Sequence, residues 1–405
     1  MSQQRPAAAP HGEQDLLLKV AMSQIFWGMT CATRLNVKMS FPGQRSTPEE
    51  LSDLDCVGIS VGPDFSVRIL VADCKSGKKV SPATRAFWLA GVREFMRASR
   101  GYLVLERTVP RGVRELASRL SLDVLGQDDL AILLNVHGSN AVTPNHLNVA
   151  TVERARMLGS NLDKKLASLV EFKEYTYWTL PQDRRAQRSI VELRKVAPLL
   201  DSARLEHRVL VLEGLFLFAL AMLEGCRYVS AVSLSDPGEA LLEYHVGGPA
   251  AKRERGTQLS SLEKSIDRLS KSVQVPKELR GKFQLEPAYF DDLAETVVRL
   301  LRRPHDAARV LRYIEWWTYA QEVAGLESLA SQVEAYAGYS RKLVSDLART
   351  YFTGGGLTGG WLTMAKSAGA PLGDNGEDGA SARAPGKAQG NQLKLDADAP
   401  PRPTT

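Results

Sequence analysis

Two short segments place acidic and basic side chains where they can act together. Asp55 lies in Asp53-Leu54-Asp55-Cys56, and eighteen positions later the chain reads Val71-Ala72-Asp73-Cys74-Lys75-Ser76. Alternate residues of a β-strand share a face, so Asp73 and Lys75 point one way and Cys74 the other, and Asp53 and Asp55 likewise share a side. Between the segments, Gly62-Pro63-Asp64 is a strong turn signal. It makes the two strands antiparallel neighbours and can bring Asp55 close to Asp73. Two carboxylates form a hard-oxygen site suited to Mg²⁺ or Mn²⁺, with waters and a substrate phosphate completing the shell. A lysine alongside can hold or deprotonate an attacking water, while the metal offsets charge building on a phosphoryl oxygen. The chemistry expected of these parts is hydrolysis of a phosphate ester.

The elements that must hold this cluster follow from local patterns. Asp15 to Phe26 has helical spacing of apolar residues and closes on Trp27-Gly28. Cys31 to Met39, Leu54 to Val61 and Val67 to Cys74 read as strands, the last carrying the aliphatic run Val67, Ile69, Leu70 and Val71. Ser81-Pro82 opens a helix expected to reach about Ser99, with proline tolerated in its first turn. Tyr102 to Leu105 is a fourth strand, Arg111 to Leu120 a helix, and Val124-Leu125 a short last strand. This order predicts an α/β domain over residues 13–130, a mixed sheet flanked by helices. From about 150 to 352 the periodicity is mainly helical, with one β-hairpin expected around Val229 to Val246. The first 12 residues form an Ala/Pro-rich arm, and 367–405 is rich in Gly, Ala, Pro and Asp. Neither end can bury enough apolar surface to offset its ordering entropy, so both are expected to be disordered.

Over 405 residues, 44% hydrophobic and 24% charged, the composition excludes a wholly disordered chain, a collagen-like one and a small disulfide scaffold. A net charge of +6 permits an acidic partner such as nucleic acid without demanding one. The four cysteines have no ligand-like spacing and no apolar leader precedes them, so free thiols in a reducing cytoplasm are expected. Val209 to Gly225 is the most apolar run, but Glu213 and two glycines interrupt it. It reads as a buried core helix rather than a membrane span, which needs about 20 apolar residues. Six scattered histidines form no metal spacing, and no nucleophile-elbow motif supports Ser/His/Asp catalysis.

Asp55 followed by Asp73-Cys74-Lys75, on strands in this element order, resembles the catalytic pattern of the PD-(D/E)XK, or restriction-endonuclease-like, nuclease superfamily. The strand Val71 to Ser76 is similar to that of its resolvase-like and type IV restriction-like members. The likeness covers about residues 13 to 130. It implies a restriction-endonuclease-like fold and a Mg²⁺- or Mn²⁺-dependent endonuclease acting on DNA. Asp55, Asp73 and the backbone carbonyl of Cys74 would hold the metal, and Lys75 would assist the water. An acid from the first helix, Glu13 or Asp15, joins the set in many members, and Asp53 is either a supporting acid or simply solvated. No proline precedes Asp55, where Leu54 stands, and no Gln-x-x-x-Tyr element follows within residues 13 to 130.

Lys78, Lys79, Arg85, Arg93, Arg97 and Arg100 form a basic region after the motif. Arg93, Arg97 and Arg100 fall at helical spacing and could meet phosphates, or form a solvated face. Trp316-Trp317 could stack bases, although aromatics on a helix are more often core. Leu259, Leu262, Ile266, Leu269 and Val273 form a short apolar seam that either packs on its own domain or pairs two copies of the chain. A non-catalytic nucleic-acid-binding or scaffold protein retaining the nuclease-like fold is the alternative reading.

Overall fold

The structure, a computed structural model, describes residues 11–41, 49–76, 81–138, 146–271, 285–325 and 330–369. Helix α1 (His11–Gly28) leads into β1 (Ala32–Phe41), β2 (Glu49–Val61) and β3 (Val67–Lys75), then α2 (Pro82–Phe95), β4 (Arg100–Leu105), α3 (Arg111–Arg119), β5 (Leu122–Leu125) and α4 (Gln127–Gly138). The five strands lie in sequence order in one sheet. β1, β2 and β3 are an antiparallel meander in which the Gly62-Pro63-Asp64 turn joins β2 to β3, whereas β4 and β5 continue parallel to β3. Helices α2 and α3 supply the crossovers that parallel pairing requires. The expected mixed sheet with flanking helices is present.

Each face of the sheet is covered. Leu18, Met22, Ile25 and Phe26 of α1 pack on Cys56, Leu70, Ala72, Cys74, Tyr102 and Val104, with Leu130 of α4 beside them. Gly58 belongs to this face because a Cβ there would meet the Phe26 ring at 2.8 Å. Val57, Ile59, Val71 and Leu103 face the other way, toward Ala86, Leu89 and Val92 of α2.

The second half is helical: α5 (Val149–Ser160), α6 (Ala167–Glu171), a π-helical turn at Phe172–Thr176, α7 (Tyr177–Thr179), α8 (Gln182–Val196), α9 (Leu205–Val232), α10 (Pro237–Val246), α11 (Pro249–Leu269), α12 (Phe290–Leu301), α13 (Pro304–Ala307), α14 (Val310–Trp316), a second π-helical turn at Trp317–Val323, α15 (Ala330–Gly354) and α16 (Gly360–Gly369). Helix α9 is long and apolar enough to cross a bilayer, yet 94% of its most apolar window is buried within the fold. One continuous apolar cluster runs from the α2 side of the sheet through α8, α9, α14 and α15. The described residues, His11 through Gly369, accordingly pack as one compact unit.

Three expectations are corrected. Val229 to Val246 is not a hairpin: α9 continues to Val232, and Asp236 caps α10 by accepting from the Glu239 amide, with Pro237 in the first turn. The Ser-Asp-Pro-Gly run is thus a helix start, because Asp and Pro serve both turns and N-caps. Helix α2 stops at Phe95, and Arg97 adopts a left-handed φ of 51° that turns the chain back so that the Ser99 amide bonds Ile69. His11 and Gly12 open α1 and residues 367–369 close α16, so these positions of the two ends are helical; 1–10 and 370–405 lie outside the described residues. The four cysteines are buried and unpaired, as expected.

Candidate active site

The turn places Asp55 opposite Asp73. Cys56 pairs with Ala72 and Val57 with Val71, so residues equidistant from Asp64 face each other across β2 and β3. Lys75, two residues along the β3 face, then puts its Nζ within 3.3 Å of both Asp55 Oδ2 and Asp73 Oδ1. Both carboxylates are deeply buried, Asp55 at 2% and Asp73 at 0% exposure. The Cys74 amide donates to Asp55 Oδ2 at 2.7 Å, tying the first carboxylate to the peptide between the other two residues of the motif.

Two further cations complete the cluster. Lys19, on α1, reaches Asp55 Oδ1 at 2.7 Å and donates to Asn36 Oδ1 at 2.6 Å. Asn36 has a left-handed φ of 52°, a conformation that Asn tolerates through its short polar side chain. This kink interrupts the pairing between Leu35↔Cys56 and Val37↔Leu54, opposite Asp55. Leu35 and Val37 consequently serve different faces of the sheet. Arg85, on α2, grips both oxygens of Asp73 with its guanidinium fork and stacks 3.5 Å over the Trp88 ring. Asp15 sits one helical turn before Lys19 and accepts the Ser76 amide at 2.8 Å.

The surroundings separate the two acids. Burial pushes Asp55 up, but Lys19, Lys75 and the Cys74 amide together hold it below the usual carboxylate range. Burial outweighs Arg85 and Lys75 at Asp73, whose carboxyl is raised. Burial opposes the charge on Lys75, yet Asp73 and Asp55 raise its pKa. At neutral pH Asp55 is therefore a firmly ionised carboxylate and Lys75 a charged donor.

The predicted core of Asp55, Asp73 and Lys75 is brought together, and Asp15 joins it from α1. Glu13 lies in α1, Asp53 is exposed at β2, and Lys78 and Lys79 fall outside the described residues. Arg85, expected to meet phosphate, instead holds Asp73. Arg93 stays on α2 beside Glu94, but Arg97 and Arg100 lie beyond the helix end and Arg100 pairs with Asp123, so no helical stripe joins the three. Trp316 and Trp317 are buried in the core. Sequence reasoning overlooked Lys19 and Asn36. The i, i+4 spacing of Asp15 and Lys19 was a usable signal, since it puts both on one helix face; nothing local marked Asn36.

As for a metal, the oxygens on offer suit a small divalent cation, which accepts one or two carboxylates plus waters. Among the described residues no three His, Cys, Asp or Glu side chains gather into a ready cation cage. A metal held here would draw on Asp55, Asp73 and backbone oxygen, and Arg85 would have to loosen its fork on Asp73 before that carboxylate could ligate. Compared with known protein families, curated proteins and solved structures, the chain finds no match.

Proposed function

We propose that the protein is a metal-dependent nuclease that hydrolyses phosphodiester bonds in DNA within a reducing cytoplasm. The observation that carries this reading is the convergence of Asp55 and Asp73 on the single ammonium of Lys75. Asp55, Asp73 and the Cys74 carbonyl would hold Mg²⁺ or Mn²⁺, which when bound supplies Lewis-acid stabilisation of charge on the phosphate. Lys75 orients a water against the phosphorus and, being held charged by both carboxylates, acts as hydrogen-bond donor rather than as resting base. Lys19 fixes the Asp55 carboxylate. Arg85, released from Asp73, becomes available to a phosphate oxygen, for which its planar fork is well shaped.

The Arg85 fork also favours a second reading. Asp15, Asp55 and Asp73 are matched by Lys19, Lys75 and Arg85, a balance that suits a structural ion network in a non-catalytic nucleic-acid-binding or scaffold protein. A cleavage assay with circular and linear duplex DNA, single-stranded DNA and RNA, with and without Mg²⁺, separates the two. Mg²⁺-dependent cleavage that disappears in both Asp73→Ala and Lys75→Ala, with folding retained, is the expected result. Cleavage surviving in those variants, or none of any substrate with Mg²⁺ or with Mn²⁺ in its place, refutes the nuclease reading.

A further inference from the structure

Adjoining the carboxylate cluster, and sharing Asp15, Lys19 and Asn36 with it, α1, β1, α5, α9, α14 and the two π-helical turns line an open cavity of about 930 Å³. That volume lies within the range of small-molecule sites. Both π-helical turns contribute to its lining, Lys173 and Glu174 from one and Tyr319 from the other. Such turns concentrate at functional sites because the widened backbone re-aims side chains that an α-helix would bury.

The cavity floor carries polar groups left without partners. His146 is 1% exposed, lines the cavity, and neither ring nitrogen has a hydrogen-bond partner. Its ring meets Trp27 edge-on at 5.1 Å, which fixes its orientation. Its Nε2 stands 3.9 Å from Glu315 Oε1, beyond hydrogen-bonding distance. Glu315 is 0% exposed and accepts from the Thr33 amide at 2.6 Å and from the Thr33 hydroxyl. Among the described residues no Lys or Arg nitrogen lies within 4 Å of it.

The other lining lysines are already engaged: Lys19 by Asp55, Lys38 by Glu174 and Lys173 by Glu213. Acidic side chains around the cavity outnumber basic ones, six to four. A buried carboxylate without a cation and a buried imidazole without a partner are both costly, and one ligand can relieve both. An ionised carboxylate accepts only, and a neutral imidazole accepts at one ring nitrogen and donates from the other. The complementary group therefore carries several N–H donors and a positive charge.

We propose that this cavity binds a small organic cation, an alkylammonium or guanidinium compound, whose N–H donors are taken by Glu315 and His146. The two groups that take the ligand, Glu315 and His146, lie outside the Asp55, Asp73 and Lys75 cluster, so the proposal does not rest on phosphodiester cleavage. It is tested on the full-length chain by calorimetric titration with agmatine, which carries both a guanidinium and an amine, and with AMP as an anionic counter-probe. Imidazole ¹⁵N spectra, with His146 assigned through His146→Gln, report on the ring. The expected result is saturable binding of agmatine, a shift of the His146 resonances and no competition from AMP. Glu315→Gln should weaken binding at least tenfold, since the charged acceptor is lost. Ala155→Trp fills the cavity from half-exposed α5 without touching the floor and should abolish binding, so the test stands even where Glu315→Gln fails to fold. No agmatine binding up to about 10 mM overturns the proposal, since even millimolar affinity would register there. Binding unchanged in Ala155→Trp, or AMP binding in agmatine's place, overturns it as well.

Discussion

Removing the Arg85 guanidinium with Arg85→Ala is the sharpest perturbation of the carboxylate cluster. It deletes the fork on Asp73 and leaves a fully buried carboxylate with Lys75 at 3.3 Å as its remaining cation. Breaking a buried ion pair from one side costs about 3–5 kcal/mol. The Arg85 side chain is 21% exposed, so water enters when it is removed, and Lys75 remains; the low end, about 3 kcal/mol, is expected. With an unfolding entropy of ~2.1 cal/mol/K per residue over roughly 360 residues, that lowers Tm by about 4 °C. The sign of the pH dependence follows from Asp73, whose folded pKa is raised. The Arg85 pair exists only while Asp73 is ionised, so the gap between wild type and variant is widest at neutral pH. It should begin to narrow above the ordinary carboxylate range as the pH falls, because Asp73 takes up its proton early. On the nuclease reading, Arg85→Ala also frees both Asp73 oxygens, so Mg²⁺ should raise the variant's Tm more than the wild type's. Calorimetric scans between pH 4.5 and 7.5, with and without Mg²⁺, measure all three effects. A variant as stable as wild type at pH 7, or a gap that does not change with pH, refutes the account of a buried, Arg-clamped Asp73.

Other outcomes follow from the same geometry. Lys19→Met removes the cation on Asp55 Oδ1; Asp55 has a lowered folded pKa, so its contribution is present above the ordinary carboxylate pKa and is lost as the pH falls through the lower folded value. In the variant that loss should start at higher pH, seen as an upward shift of the acid-unfolding midpoint, and an unmoved midpoint would contradict it. Gly58→Val drives a side chain into the Phe26 ring between α1 and β2 and should cost about 1–3 kcal/mol, measured by thermal or urea unfolding. Helix α11 fully buries none of its residues and Leu262 is 46% exposed, while Val273 lies outside the described residues; we propose that this seam pairs with a second copy of the chain. Light scattering should give twice the 44.4 kDa chain mass at micromolar concentration, and Leu262→Asp with Ile266→Asp should return it to monomer without lowering Tm; a wild-type monomer mass rejects the dimer.

The sequence by itself determined the elements around the cluster and the register that unites its core. The aliphatic run Val67 to Val71 and the Gly62-Pro63-Asp64 turn are local signals. Because strand pairing about a turn is fixed by counting outward from it, Asp55 had to face Asp73 once the turn was centred on Asp64. Alternation then put Lys75 on the Asp73 side. These are period-two arguments over a few residues, where steric rules dominate.

Only the tertiary structure decided what closes around that core. Lys19 arrives from α1 and Arg85 from α2, elements on opposite faces of the sheet whose approach depends on how Phe26 and Leu89 pack, and no local pattern encodes that distance. The left-handed Asn36 is likewise imposed by the need to turn β1 at Asp55. Local propensity misread Val229 to Val246, because β-branched residues around Ser-Asp-Pro-Gly suggest strands until α9 buries its face against its neighbours. His146 and Glu315 lie 169 positions apart, and Thr33 is 282 positions from Glu315. Their meeting is a property of the shared core that joins sheet and helices, and it is settled by long-range packing rather than by any periodicity in the chain.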